Sequence, residues 1–312
     1  MTTRTTSTIP AFVPAADADA GIVLADVPTP EPAADEVLIA VEAYSVNRGE
    51  VHLLAAPRPG WRPGQDVVGR VLQAAADGGG PREGERVVGH AMQGGWAPVV
   101  PVPASAATVL PDSVPSTVAS TLVVGGLTVL RLLRRAGALA GTRVLVTGAS
   151  GGVGHGLAEL AIGSGAEVVA VARTPERGEL LRGFGASTVE RVEDAAGPFD
   201  VVFESVGGET LVAAVAAVRR GGRVLLFGQA GGEPARLGFG QLFNEAIVEG
   251  FVYWGADGGD IAGDLALLVR LVETGRLHPP IGVVEDWRRT PEVLVDLRDR
   301  RVRGNAVLTI GG

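Results

Sequence analysis

Val144-Leu-Val-Thr-Gly-Ala-Ser-Gly-Gly-Val-Gly154 decides how the chain is read. A β-branched apolar run ends in a cluster of glycines and a helical pattern follows through Leu157, Leu160 and Ala161. A second apolar run, Val168-Val-Ala-Val-Ala172, then arrives at the spacing of a βαβ unit. A buried strand that turns sharply into a helix presents the helix's first amide N–H groups to a pyrophosphate, and only glycine lets backbone come that close. The turn reads as a dinucleotide site, with Gly148, Ala149, Gly151, Gly152, Val153 and Gly154 lining it. An ordinary glycine-rich loop is the competing reading, and the strand–helix–strand context argues against it.

The end of the second strand is where NAD sites place Asp or Glu against the ribose 2′-hydroxyl, and here the residues are Arg173-Thr-Pro-Glu-Arg177. Arg173 and Arg177 therefore point to NADP. A guanidinium on the 2′-phosphate is a charge-assisted contact worth about 1.5–3 kcal/mol, or roughly ten- to a hundredfold in preference for NADPH over NADH. The alternative makes both arginines solvated charges of the next helix.

Outward from the turn, apolar strands at 143–147, 167–171, 199–204, 223–227 and 247–253 alternate with helical stretches, the pattern of a six-stranded doubly wound parallel sheet. The first hundred residues differ. Glu36-Val-Leu-Ile-Ala-Val-Glu42, Asp66-Val-Val-Gly-Arg-Val-Leu72 and Glu85-Arg-Val-Val-Gly89 alternate between Pro and Gly turns, as all-β chains do. A helix from Asp260 to Gly275 precedes a last apolar strand, Asn305 to Ile310, expected to return to the first domain. The expected division is 1–117 with 260–312, and an inserted dinucleotide-binding domain over 118–259.

Composition excludes several classes. The 312 residues include no Cys, and all 27 basic residues are Arg, so thiolate nucleophiles, disulfides, Cys-ligated zinc, Schiff bases and a Tyr-x-x-x-Lys pair are ruled out. A net charge of −8 without a basic stripe argues against nucleic acid. Apolar windows are broken before about 18 residues, and Met1–Pro10 is polar rather than a signal peptide. A cytoplasmic location is expected.

Seven stretches now resemble one family. They are Ala43-Tyr-Ser-Val-Asn47-Arg-Gly-Glu50, Pro63-Gly-Gln-Asp66-Val-Val-Gly69, Gly84-Glu-Arg-Val-Val-Gly89, Gly126-Leu-Thr128, the turn at 148–154, Phe199-Asp-Val-Val-Phe-Glu-Ser-Val-Gly207 and Arg303-Gly-Asn-Ala-Val-Leu308. In order and spacing they resemble the medium-chain dehydrogenase/reductases, in particular the zinc-independent quinone oxidoreductase and enoyl reductase branch. The resemblance implies an α/β fold, a GroES-like β domain plus a doubly wound Rossmann domain, with the active site in the cleft between them. It also implies a homodimer joined through the sixth Rossmann strand. Zinc-dependent members carry Cys near the position of Tyr44 to Arg48 and Gly-His-Glu where this chain has Gly64-Gln65-Asp66, so no metal is expected. His52, His90, His155 and His278 lie far apart, without ligand spacing. The short-chain reductases share the glycine pattern, but in that family it lies near the N-terminus and the active site needs a lysine.

Without a Lewis acid, easily reduced acceptors are favoured: quinones and α,β-unsaturated carbonyls, whose developing negative charge hydrogen-bond donors can stabilise. By resemblance Asn47 lies beside the nicotinamide, to donate to the acceptor oxygen or orient the ring; as a turn residue it would cap local backbone instead. His52 is the best proton donor in that neighbourhood, though a lone His is more often structural. Enoyl-thioester reductases carry a Tyr where this chain has Trp61, which weakens the enoyl-thioester reading. Trp61, Tyr253 and Trp254 are candidates for a flat apolar pocket, or else domain packing. Further cofactor contacts implied by resemblance are Thr128, Ser205, Val206, Phe227, Gly228 and Asn305. The expected function is NADPH-dependent reduction of a quinone or enone. Alternatives are a dedicated biosynthetic dehydrogenase or reductase, and an NADPH-binding protein with little turnover.

Overall fold

The computed structural model describes residues 7–254 and 259–311. Met1–Thr6, part of the polar N-terminal stretch, lie outside the described residues, as do residues 255–258 and Gly312.

The chain opens with a hairpin, β1 (Thr8–Pro14) against β2 (Ile22–Pro28), then β3 (Glu36–Val46), helix α1 (Arg48–Ala55), β4 (Asp66–Gln73), β5 (Arg86–His90), β6 (Val99–Pro103) and β7 (Ala107–Val109). Helix α2 (Ser116–Ala119) and helix α3 (Val124–Ala136) lead to the glycine turn. Then come β8 (Arg143–Val146), α4 (Gly152–Gly163), β9 (Glu167–Val171), α5 (Glu179–Gly183), β10 (Ser187–Val189), β11 (Phe199–Glu204), α6 (Gly208–Ala217), β12 (Val218–Leu226) and β13 (Ile247–Gly250). Helix α7 (Ile261–Glu273), β14 (Ile281–Asp286), α8 (Thr290–Arg298) and β15 (Asn305–Thr309) complete the order.

By contacts the chain forms two units. One takes the chain up to Leu127, Gly259–Gly275 and the stretch from Ile281 on; the other takes Thr128–Gly258 and Arg276–Pro280. The division falls at Leu127 rather than at residue 117 because the intervening residues are tied to the first unit. Arg86 Nη2 donates to Ser116 Oγ at 3.0 Å, Ser116 Oγ to Glu42 at 2.8 Å, and the Val124 N–H to Asp66 Oδ1 at 3.0 Å. Residues 276–280 join the second unit because buried Glu159 of α4 accepts the His278 N–H at 2.9 Å and holds its ring Nδ1 at 2.5 Å.

The first unit is built on a seven-stranded sheet, β14-β15-β3-β4-β5-β7, with β6 on β3. β3 buries alternate residues, as its apolar alternation requires. β15 returns to pair antiparallel with β3, Val307 opposite Ser45. Tyr44 and Trp96 stack in the core at 6.1 Å, and the Tyr44 hydroxyl hydrogen-bonds Thr290 Oγ1 at 2.7 Å.

The second unit is a six-stranded, all-parallel sheet ordered β10-β9-β8-β11-β12-β13. Its central strands are buried on both faces, which is why they read as unbroken Val, Leu and Phe runs rather than alternating ones. The sixth strand is the three-residue β10, too short for a sequence period to reveal. Strand order reverses between β8 and β11, so the loops leaving those strands meet at a topological switch point, where doubly wound sheets bind ligands.

Candidate functional site

At the switch point the glycines are sterically required. Gly148 has φ +58°, and a Cβ there would stand 2.5 Å from Ser205 Oγ. A Cβ on Gly154 would strike the Gly148 carbonyl and come within 2.8 Å of Ala149 Cα. Gly151 caps α4 without a side chain, so the first amides of a twelve-residue helix have no side-chain acceptor from its cap. That cradle has the shape and polarity of a pyrophosphate seat. Val153 packs its side chain against the sheet core.

Glu204 organises the surrounding loops. It is buried at the end of β11, and its Oε1 accepts the Thr147 hydroxyl at 3.1 Å and the Val206 N–H at 2.7 Å, while both oxygens accept the Gly207 N–H. Thr147 Oγ1 in turn accepts the Ser205 N–H at 3.0 Å. Burial pushes Glu204 above the usual carboxylate range, against the pull of these donors. The Ser205 and Val206 carbonyls accept from Ala230 and Gly231 at 2.8 and 2.6 Å, and the Phe227 N–H donates to the Glu204 carbonyl. A Cβ on Gly228 would sit 3.1 Å from the Ser205 carbonyl. Gly148, Ala149, Ser205, Val206, Phe227 and Gly228 are thus brought together. Sequence reasoning quoted Glu204 within a motif and gave it no role; the signal was a lone acid closing an apolar strand.

Arg173 follows β9, exposed, with Arg177 half-buried on the next turn. Between them Thr174 Oγ1 is buried without a hydrogen-bond partner. The first charged residue after β9 is Arg173 rather than an acid, with Glu176 further on beside Arg177, and a guanidinium at that place suits a phosphate better than a ribose diol. Tyr253 is buried and meets exposed Trp254 edge-to-face at 4.9 Å, and Arg131 Nη1 donates to the Tyr253 carbonyl at 2.6 Å. Thr128 is buried in α3.

The first unit contributes a second cluster. Asn47 caps α1: its backbone N–H donates to Glu50 Oε2 at 2.9 Å and its Nδ2 to Asp66 Oδ2 at 2.7 Å. Asp66 Oδ2 also takes the Ser45 hydroxyl in a short hydrogen bond, and Glu50 Oε1 takes the Gly64 N–H at 3.0 Å. Both carboxyls are buried. Burial pushes Asp66 up to about 6 against its donors, and burial together with the Asp66 charge pushes Glu50 well above the usual range. Asn47 is the N-cap residue of α1, with its side-chain amide turned to Asp66. His52 lies exposed on the last turn of α1, about 7.5 Å of helical rise from Asn47. Trp61 is half-buried in the loop before β4, and Asn305 opens β15 beside Gly125.

These residues do not fit zinc. The chain has no Cys, and no group of three or more His, Asp or Glu among the described residues is placed to hold a metal. Asp66, at the position matching zinc-dependent relatives, is committed to three donors.

Residues 33–112 match the family model for the alcohol dehydrogenase GroES-like domain, and residues 152–270 that for zinc-binding dehydrogenase. The quinone oxidoreductase of Rattus norvegicus is 30% identical over 222 residues, covering 65% of this chain and 67% of the rat protein. The chain belongs to the medium-chain dehydrogenase/reductase superfamily. Within it, the chain is also similar to the spectinabilin polyketide synthase system protein NorB of Streptomyces orinoci, 31% identical over 299 residues. That match takes in 91% of this chain and only 14% of NorB. Among solved structures, the mycobacterial protein Rv1454c complexed with NADPH superposes with TM-score 0.87 at 25% identity, over 97% of this chain and 100% of the other. The superfamily is one of oxidoreductases, and this chain has its two-part α/β fold, a GroES-like domain and a Rossmann-type sheet.

Proposed function

We propose that the protein is an NADPH-dependent reductase of quinones or α,β-unsaturated carbonyls that works without a metal. The observation that carries the reading is the open amide cradle at the start of α4, knitted to the Ser205–Gly207 loop through Glu204, with Arg173 rather than an acid after β9. The NADPH complex of the mycobacterial relative supports it. The residues proposed to hold the cofactor are Gly148, Ala149, Gly151, Gly152, Val153 and Gly154 for the pyrophosphate, and Arg173 and Arg177 for the 2′-phosphate. Thr128, Ser205, Val206, Phe227, Gly228 and Asn305 supply the remaining contacts.

NADPH supplies a hydride to an electrophilic carbon of the acceptor. Asn47, with one amide N–H on Asp66, offers its second to the acceptor oxygen as charge develops there. An enone also needs a proton on carbon, and His52, exposed on α1, is assigned to deliver it; a hydroquinone anion takes its proton on oxygen from water. Trp61, Tyr253 and Trp254 are proposed to bound a flat acceptor. The protein is read as a cytoplasmic homodimer. No single helix among the described residues is long and apolar enough to cross a membrane.

The test is NADPH consumption by purified, chelator-treated protein with a small quinone and a linear enone side by side, with an NADH control. Turnover with NADPH and little with NADH is expected; NADPH binding without turnover of either acceptor overturns the general reductase reading. The similarity to polyketide synthases over 91% of the chain favours one second reading, a reductase for a single biosynthetic intermediate. That outcome belongs to it. His52→Ala is expected to slow the enone roughly tenfold or more and leave the quinone little changed.

A further inference from the structure

Asp66 gathers three donors from three segments: the Ser45 hydroxyl at the end of β3, Asn47 Nδ2 before α1, and the Val124 N–H at the start of α3. As a cross-brace it needs only Ser45 and Val124. The backbone of Asn47 is already fixed by Glu50, which takes its N–H at 2.9 Å. The bond from Asn47 Nδ2 to Asp66 therefore fixes the side chain and adds little to the fold.

A carboxamide has two ends of almost equal size, and unanchored it turns over freely. A carboxylate accepts and cannot donate, so it admits the nitrogen end alone. Resting on the role proposed above for Asn47, we infer that Asp66 is the positioning residue of the reaction, holding the Asn47 carboxamide in the one orientation that offers an N–H to the acceptor oxygen. Asp66 does not itself touch substrate. Titratable neighbours face it from two elements: Glu50 on α1, and His90, directly opposite on β5. Burial raises Asp66 to about 6, so the orientation is lost when acid puts a proton where the amide N–H docks.

The test is a double-mutant cycle on kcat with Asp66→Asn and Asn47→Ala, together with the side-chain amide NMR signals of Asn47, identified by their loss in Asn47→Ala. Asp66→Asn is expected to lower kcat about tenfold or more with KM for NADPH within about twofold, and the double variant to be no slower than Asn47→Ala alone. The Asn47 amide signals are expected to titrate with a midpoint near 6 in the wild type, a measurement that needs no folded variant at position 66. Two losses that multiply, or amide signals that do not move with pH, overturn the inference. Should Asn47→Ala leave kcat intact, the catalytic role of Asn47 fails while the titrating amide still reports the anchor, so the two readings fail separately. If Asp66→Asn does not fold, the wild-type titration of the Asn47 amide decides alone, and signals that stay fixed across pH 4–8 overturn the inference.

Discussion

At the residue scale, Asp66 makes activity and stability run against each other. Its folded pKa lies near 6, above an unfolded value of 3.8, so the folded state binds the extra proton between those limits. Stability from this group is full below the lower value and is lost as pH rises through the upper one, by about 3 kcal/mol in all. On the anchoring role inferred for Asp66, turnover needs the carboxylate and is expected to rise over the same interval. Chemical denaturation from pH 4 to 7 is expected to show the decline in the wild type and a shallower one in Asp66→Asn, where buried Glu50 and Glu204 still contribute in the same direction, while the acid limb of kcat disappears with the same substitution. Arg173 offers a second residue-scale test. Arg173→Ala is expected to cut the preference for NADPH over NADH roughly tenfold or more, measured as the ratio of the two kcat/KM values; an unchanged ratio assigns the 2′-phosphate elsewhere.

Among elements, the turn from β8 into α4 was legible because its constraint is local: Gly148 holds a left-handed φ of +58°, and at Gly154 backbone meets the Gly148 carbonyl, leaving no room for a Cβ. Gly154→Ala is accordingly expected to remove measurable NADPH binding by titration calorimetry, since the added carbon meets a carbonyl with no room to retreat. The β-rich start, the parallel sheet and the returning β15 were equally readable from apolar period. What escaped was either short or made by distant partners. β10 has three residues; the pairing of β1 with β2, and the 3.0 Å bond that ties α3 to Asp66 fifty-eight residues earlier, leave no periodic trace. Buried acids were the least legible of all. Glu50, Asp66 and Glu204 look in sequence like surface charges in apolar strands or loops, and become site-forming because three separate loops aim donors at them.

Across the whole molecule, β13 ends the parallel sheet, with Ile247 and Val248 exposed along it. An open apolar edge strand invites a second strand, and a two-fold copy would continue the sheet across both protomers. Light scattering is expected to report about twice the 31.8 kDa chain mass, and Val248→Pro, which removes a donor from the edge, to report one chain. Burial of His90 and His155 bears on durability rather than on assembly. Thiols, side-chain amines and imidazoles are the groups that conjugate addition attacks in a protein, and this chain holds neither of the first two and keeps half its four imidazoles out of reach. On the proposed activity, a reductase of reactive enones is thereby a poor target for them, and its intact mass is expected to stay unaltered after prolonged exposure to an excess of a small enone.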